Sequence, residues 1–97
     1  MRRVEQRSKF RRDFKREGRG EHKSLLQPVT GVLWKVVAAL ANDIQLPMRY
    51  RDHPLHGEYE GCRECHVRPD LLLIYTLEGD DVLWLERLGS HAELFGM

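Results

Sequence analysis

The chain has 97 residues and a formal net charge of +1, with 41% hydrophobic and 32% charged residues. That is the size of one domain, here taken as residues 1–97, able to bury roughly two thirds of its unfolded surface without staples. The near-neutral total hides a split, because residues 1–23 carry ten Lys/Arg against four acids and the remainder six against eleven. A basic N-terminal third marks either a polyanion partner or a solvated helix face. The start of the chain lacks the apolar core of a secretory signal, and no apolar run is long enough to span a bilayer. A cytoplasmic protein without membrane contact, its Cys62 and Cys65 reduced, is the expectation.

Taken in order, Arg2 to Gln6 fits a short first strand with Val4 inward. Ser8 fits the N-cap of a helix over Lys9 to Glu17, stopped by Gly18. Phe10 and Phe14 share one face of it, while Lys9, Arg12, Lys15 and Arg16 make the remainder cationic. A second helix follows from the 3.6-residue recurrence of Val29, Val32, Leu33, Val36, Val37 and Leu40. Ser24 and Gln27 have the spacing of a capping box, with Pro28 in the first turn. On that reading Gly31 lies inside the helix and costs about 1 kcal/mol against alanine.

Beyond Leu46-Pro47 the chain reads as extended. Cys62 to Val67 alternates, with Glu64 and His66 on one face and Cys65 and Val67 on the other. Leu71 to Leu77 is a nearly continuous apolar strand, Glu78 to Asp81 a hairpin turn, and Val82 to Leu88 the last strand. Gly89-Ser90 then turns into an accessible terminal segment carrying His91 and Phe95. The class is α+β, two N-terminal helices packed on one face of a small antiparallel sheet. Leu33, Val36, Val37, Leu40, Leu72, Ile74 and Leu85 are expected to share one core.

Tyr50 to Asp70, YRDHPLHGEYEGCRECHVRPD, holds three of the five histidines and both cysteines. Cys62-Arg63-Glu64-Cys65-His66 matches C-x-x-C-H, but haem attachment needs an exported chain and a helical or turn context. Cysteines three apart on a strand point to opposite faces, which disfavours a shared zinc. The histidines are the better chemical signal. His53, His66 and His91 fall at strand edges and loops of one meander, with Asp70 and Arg87 near them in sequence. Imidazoles can act as base and acid in one turnover, and an arginine offers a cationic fork to a phosphate. This set suits cleavage of RNA by its own 2′-hydroxyl. Scattered surface histidines are the plainer alternative.

At these residues the chain resembles the YafQ-type branch of the RelE/ParE toxin superfamily. The motifs carrying the resemblance are YRDHPLHG, GCRECHVRPDLLLIY and LERLGSHAELF, with SKFRRDFKR resembling the family's basic first helix. The resemblance implies a β-α-α-β-β-β microdomain with a short C-terminal helical segment. It also implies a toxin that cleaves translated mRNA in the ribosomal A site, without metal or other cofactor, and is neutralised by a cognate antitoxin. His53, His66, Asp70, Arg87 and His91 correspond to the family's catalytic positions, and Phe95 to a substrate contact. Leu71 departs from the pattern, standing where some members carry tryptophan. Lys9, Arg12, Lys15 and Arg16 are the expected contacts to ribosomal RNA, and no DNA contact is expected of the toxin alone. A second reading on the same scaffold is a gyrase-directed binder that cleaves nothing.

Overall fold

The computed structural model describes residues 1–96; Met97, the last residue of the expected domain, lies outside the described residues. Strand β1 (Arg3–Gln6) leads into α1 (Ser8–Glu17), followed by a 3-10 turn over Lys23–Leu26 and α2 (Val32–Ala41). Four strands follow: β2 (His53–Pro54), β3 (Arg63–Arg68), β4 (Leu71–Glu78) and β5 (Val82–Gly89), then a short α3 (His91–Phe95). They form one five-stranded sheet in the order β1-β5-β4-β3-β2. The meander is antiparallel as expected, but β1 adds to β5 in parallel, so the sheet is mixed.

Residues Leu71 to Tyr75 of β4 are all buried, which explains the unbroken apolar run: this strand is covered on both faces. One face meets α1 and α2 through Leu71, Leu73, Tyr75, Leu83, Leu85 and Leu88, packed with Phe10, Leu33, Val36, Val37 and Leu40. Leu72 and Ile74 point the other way and form a separate cluster with Leu94 of α3. The single core expected from the sequence is therefore two, because α3 folds back over the face that α1 and α2 leave open.

The register between β4 and β5 slips at Ile74/Tyr75, with Ile74 opposite Arg87 and Tyr75 opposite Leu85. Glu86 is the extra residue of a bulge. The bulge shifts the alternation by one, so that Leu85 and Leu88 both face the main core and Arg87 leaves it.

The second helix starts later than its hydrophobic pattern. Arg7, not Ser8, is the extended N-cap of α1, and Gly31, not Ser24, is that of α2. Val29 adopts φ 67° and is 85% exposed, outside the helix it was expected to open. Gly31 sits against backbone: a Cβ there would lie 2.4 Å from the Leu25 carbonyl oxygen and 2.6 Å from that of Gln27. The glycine is thus a close-approach residue, and the expected gain from alanine reverses sign.

Candidate active site

Register builds the site. His53 pairs with Glu64 across β2 and β3, Glu64 with Ile74, and Ile74 with Arg87, so these four form one row across the sheet. Residues directly opposite share a face. The next row holds His66 opposite Leu72, and Leu72 opposite Gly89. Leu72 and Ile74 are the apolar floor, and the polar side chains stand on it.

Glu64 is the centre. Its residue is 2% exposed, and its Oε2 lies 3.0 Å from His53 Nε2 and 3.3 Å from His66 Nε2. Its Oε1 is buried without a hydrogen-bond partner. His53 Nδ1 lies 3.1 Å from the Pro54 carbonyl oxygen, which can only accept, so Nδ1 carries a hydrogen. His53 Nε2 is thereby turned onto the Glu64 carboxyl group. His53 and Glu64 together form an imidazole–carboxyl pair on the sheet. Sequence reasoning left Glu64 out of the site, although its i,i+2 spacing to His66 on one strand was the available signal.

The three imidazoles form a line. Ring centroids of His53 and His66 are 6.4 Å apart, those of His66 and His91 5.8 Å, and those of His91 and Phe95 5.7 Å. His91 has no hydrogen-bond partner among the described residues and is exposed. It stands in the first turn of α3, a more ordered setting than a bare turn. The Ser90 hydroxyl accepts from Glu93 N at 3.1 Å, and the Glu93 carboxylate accepts from Ser90 N at 2.8 Å, a closed capping box. Leu94 anchors the helix on Leu72 and Ile74, and Arg16 Nε of α1 holds Glu93 Oε2 at 3.0 Å.

Arg87 lies on this face but its guanidinium is engaged. Nε and Nη2 donate to the two oxygens of Asp13 at 2.7 and 3.2 Å, and Nη1 donates to the Tyr59 hydroxyl at 2.9 Å. Tyr59 in turn meets Phe95 edge to face, centroids 5.7 Å apart, so Arg87 reaches the imidazole line through two aromatic rings. Asp13 is 3% exposed and also accepts from Leu88 N at 3.0 Å and from Arg16 Nη1 at 2.9 Å. Burial opposes its ionisation, but Arg87, the Leu88 amide and Arg16 outweigh that and hold the carboxyl below its ordinary range. The same hydrogen bond to Asp13 raises Arg87, so the guanidinium stays charged.

The structure sets Asp70 apart from the imidazole line, and Arg16 apart from the solvent-facing cations of α1. Asp70 follows the bulge at the end of β3 and lies 3.3 Å from His22, on the far side of the turn. Arg16 is spent on Asp13, Glu17, Glu93 and the Leu88 carbonyl. Lys9, Arg12 and Lys15 remain exposed on α1. The cysteines part as the alternation requires: Cys65 is buried in the main core, where burial pushes its thiol up, and Cys62 flanks the opposite cluster. A metal would find donors elsewhere, since one ligand atom each from His53, Glu64 and His66 lies within 4.8 Å of the others, as do those of Glu21, His22 and Asp70. Two imidazoles and a carboxylate suit a transition ion.

A mixed sheet with two helices on one face and an imidazole row on the other defines a RelE-like toxin scaffold. A family model described as bacterial toxin of type II toxin-antitoxin system, YafQ, matches residues 2–96, and the chain belongs to that family. The mRNA interferase toxin YafQ of Escherichia coli strain K12 is 53% identical over 55 residues, a match covering 57% of this chain and 59% of that protein. The E. coli DinJ-YafQ complex contains a chain 37% identical with a TM-score of 0.78, matched over 99% of this chain and 100% of that one. A metal-bound toxin from Helicobacter pylori is 41% identical with a TM-score of 0.81, over 98% of this chain and 100% of that one.

Proposed function

We propose that this chain is the toxin of a type II toxin-antitoxin pair, an endoribonuclease that cuts translated mRNA in the ribosomal A site and is silenced by a cognate antitoxin. The observation that carries the reading is the line of three imidazoles on one sheet face, two of them on the buried Glu64 carboxyl group and the third, His91, exposed to solvent. The likeness to an mRNA interferase and to a chain solved with its antitoxin supports it.

In the proposed reaction the 2′-hydroxyl of one nucleotide attacks the adjacent phosphorus and the 5′-oxygen leaves. One imidazole takes the 2′-proton and another delivers a proton to the 5′-oxygen. His91 and His53 are the acid/base pair, flanking a phosphate seated above His66. His53, held on Glu64, exchanges a proton with the strand at one end of the line, and unpartnered His91 makes the reverse transfer at the other. Arg87 offsets charge developing on the phosphorane. Its ion pair with Asp13 tempers that role and fixes the guanidinium's direction. Phe95, beside His91, gives a base a surface to stack on. Lys9, Arg12 and Lys15 hold ribosomal RNA phosphates. Asp70, beside His22 and away from the imidazole line, lies outside this row.

The test is a translating extract supplied with the protein, followed by mapping of mRNA 5′ ends. Cuts within codons of translated message support the nuclease. Intact message with arrested DNA supercoiling would make it a gyrase-directed binder instead.

A further inference from the structure

Beside the imidazole line lies a cleft of about 590 Å³ lined by Arg49, Tyr50, Arg51, His66, Arg68 and His91, together with Val67 and Pro69. No acidic residue lines it. None of the three arginines pairs with a carboxylate among the described residues, whereas Arg2, Arg7, Arg16, Arg63 and Arg87 each do. Three uncompensated guanidinium groups around two imidazoles make a concentrated positive field with an opening to solvent.

The backbone holds one of them there at a cost. Arg51 sits in the left-handed region, φ 48° and ψ 47°, which disfavours any residue with a Cβ. Its neighbour Asp52 is the anchor, accepting from the Tyr75 hydroxyl at 2.6 Å and from Arg63 Nε at 3.1 Å. With Asp52 tied inward, the Arg51 side chain turns into the cleft. Arg68 ends β3 opposite Leu71, two residues beyond His66, so His66 lies between Arg68 and the row that contains Arg87. Tyr50 is half-buried, with the Arg49 guanidinium 4.8 Å from its ring centroid.

We propose that Arg49, Arg51 and Arg68 form a phosphate-binding rim for single-stranded RNA, gripping the backbone on the side of the scissile bond away from Arg87, with Tyr50 as a stacking platform for a neighbouring base. The inference rests on the nuclease reading and adds a binding subsite to it. Guanidinium groups grip phosphate oxygens in paired hydrogen bonds, and an aromatic face accepts any base, so the rim positions a strand without reading its sequence. An acidic segment of the antitoxin is the competing occupant of such a field.

The experiment uses the full chain with Arg51→Gln/Arg68→Gln, the triple variant adding Arg49→Gln, and Lys35→Gln on exposed α2 as a charge control. Each is first shown to melt like wild type. Binding of a fluorescent 2′-O-methyl hexanucleotide is followed by anisotropy across salt, and cleavage of ribosome-bound mRNA under single-turnover conditions. The rim variants should lower the log–log salt slope by about 0.7 per arginine removed, with Lys35→Gln leaving it unchanged. Cleavage at limiting toxin should fall by about tenfold or more per lost contact, with a smaller change at saturation. Rim variants that bind and cut like wild type would overturn the rim and leave the nuclease standing. Rim variants that cut normally but lose antitoxin affinity would assign the arginines to the antitoxin and overturn the RNA reading. Wild-type protein that cuts no message would overturn the nuclease itself, and the rim with it.

Discussion

Replacing Asp13 by alanine removes the acceptor on which α1, β5 and Arg87 converge. Asp13 is 3% exposed and takes two hydrogen bonds from Arg87, one from Leu88 N and one from Arg16. Breaking a buried pair by deleting one partner typically costs about 3–5 kcal/mol, because the other charge is left uncompensated. Arg87 is 17% exposed on its side chain and keeps the Tyr59 hydroxyl, which argues for the low end. Arg16 is 41% exposed and keeps Glu17 and Glu93, so its lost contact adds little. The expected loss is therefore about 3 kcal/mol, a large part of a typical domain's stability, and a urea midpoint lower by roughly 1–3 M at unchanged slope. The pH dependence gives a second reading of the same group. Asp13 in the fold lies below its unfolded value of about 3.9, so its stabilisation is complete above that value and lost as pH falls through the depressed one. Asp13→Asn lacks this component and should lose less stability than wild type on acidification below about pH 4. A midpoint shift under about 0.3 M for Asp13→Ala would show that the network contributes no net stability and would refute the reasoning.

Three further outcomes are expected. His91→Ala should lower single-turnover cleavage of ribosome-bound mRNA by about 10²–10⁴-fold while melting within about 0.5 kcal/mol of wild type; near-normal cleavage would make His91 a bystander. Chelators should leave cleavage intact provided ribosomal magnesium is kept, whereas added zinc or copper should inhibit by tying His53, Glu64 and His66 together, and His53→Ala should weaken zinc binding measured by calorimetry. Gly31→Ala should destabilise the fold by about 1–3 kcal/mol, since its methyl meets two backbone carbonyls; a rise in the thermal midpoint would restore the helix-interior reading of Gly31.

Much of this architecture was legible because burial follows period. The alternation of Glu64 and His66 against Cys65 and Val67 placed the first two on the chemical face, and the unbroken β4 run correctly marked a covered strand. What escaped were features fixed by long-range geometry. Leu72 and Ile74 look like any other residues of an apolar strand, and only the return of α3 assigns them to a second cluster. Ser24, Gln27 and Pro28 mimic a helix start, yet the chain makes a 3-10 turn there and begins α2 at Val32, after the positive φ of Val29. Asp70 is four residues from His66, but the bulge and turn between them send it toward His22. Glu64 carries no motif of its own, and its burial and its contacts to two imidazoles exist only once β2 pairs with β3.

The basic first helix is where sequence and structure diverge most usefully. Its charge run reads as one cationic face, yet it contains two acids, Asp13 and Glu17, and both are buried. They point inward and organise part of the positive charge. Asp13 orients Arg87 and Arg16, and Arg16 passes the constraint to Glu93 and the Leu88 carbonyl. Gly89 leaves room for this, because a Cβ there would fall 2.7 Å from Arg16 Nη2 and 3.0 Å from Glu93 Oε1. So α1 does two jobs with one stretch of sequence. Lys9, Arg12 and Lys15 face solvent, free for a polyanion, while Asp13, Arg16 and Glu17 fix the short helix that carries His91 and Phe95. Five residues cannot hold a helix by their own hydrogen bonds, so α3 depends on its capping box, on Leu94 and on this clamp. Burial pushes the Glu17 carboxyl above its ordinary range beside Glu93. A raised carboxyl stabilises the fold when protonated and loses that contribution as pH rises through its folded value. Arg16, lying between the two acids, offsets their repulsion at neutral pH, and that is why its charge belongs to the position of His91 and not to the cationic face of Lys9, Arg12 and Lys15.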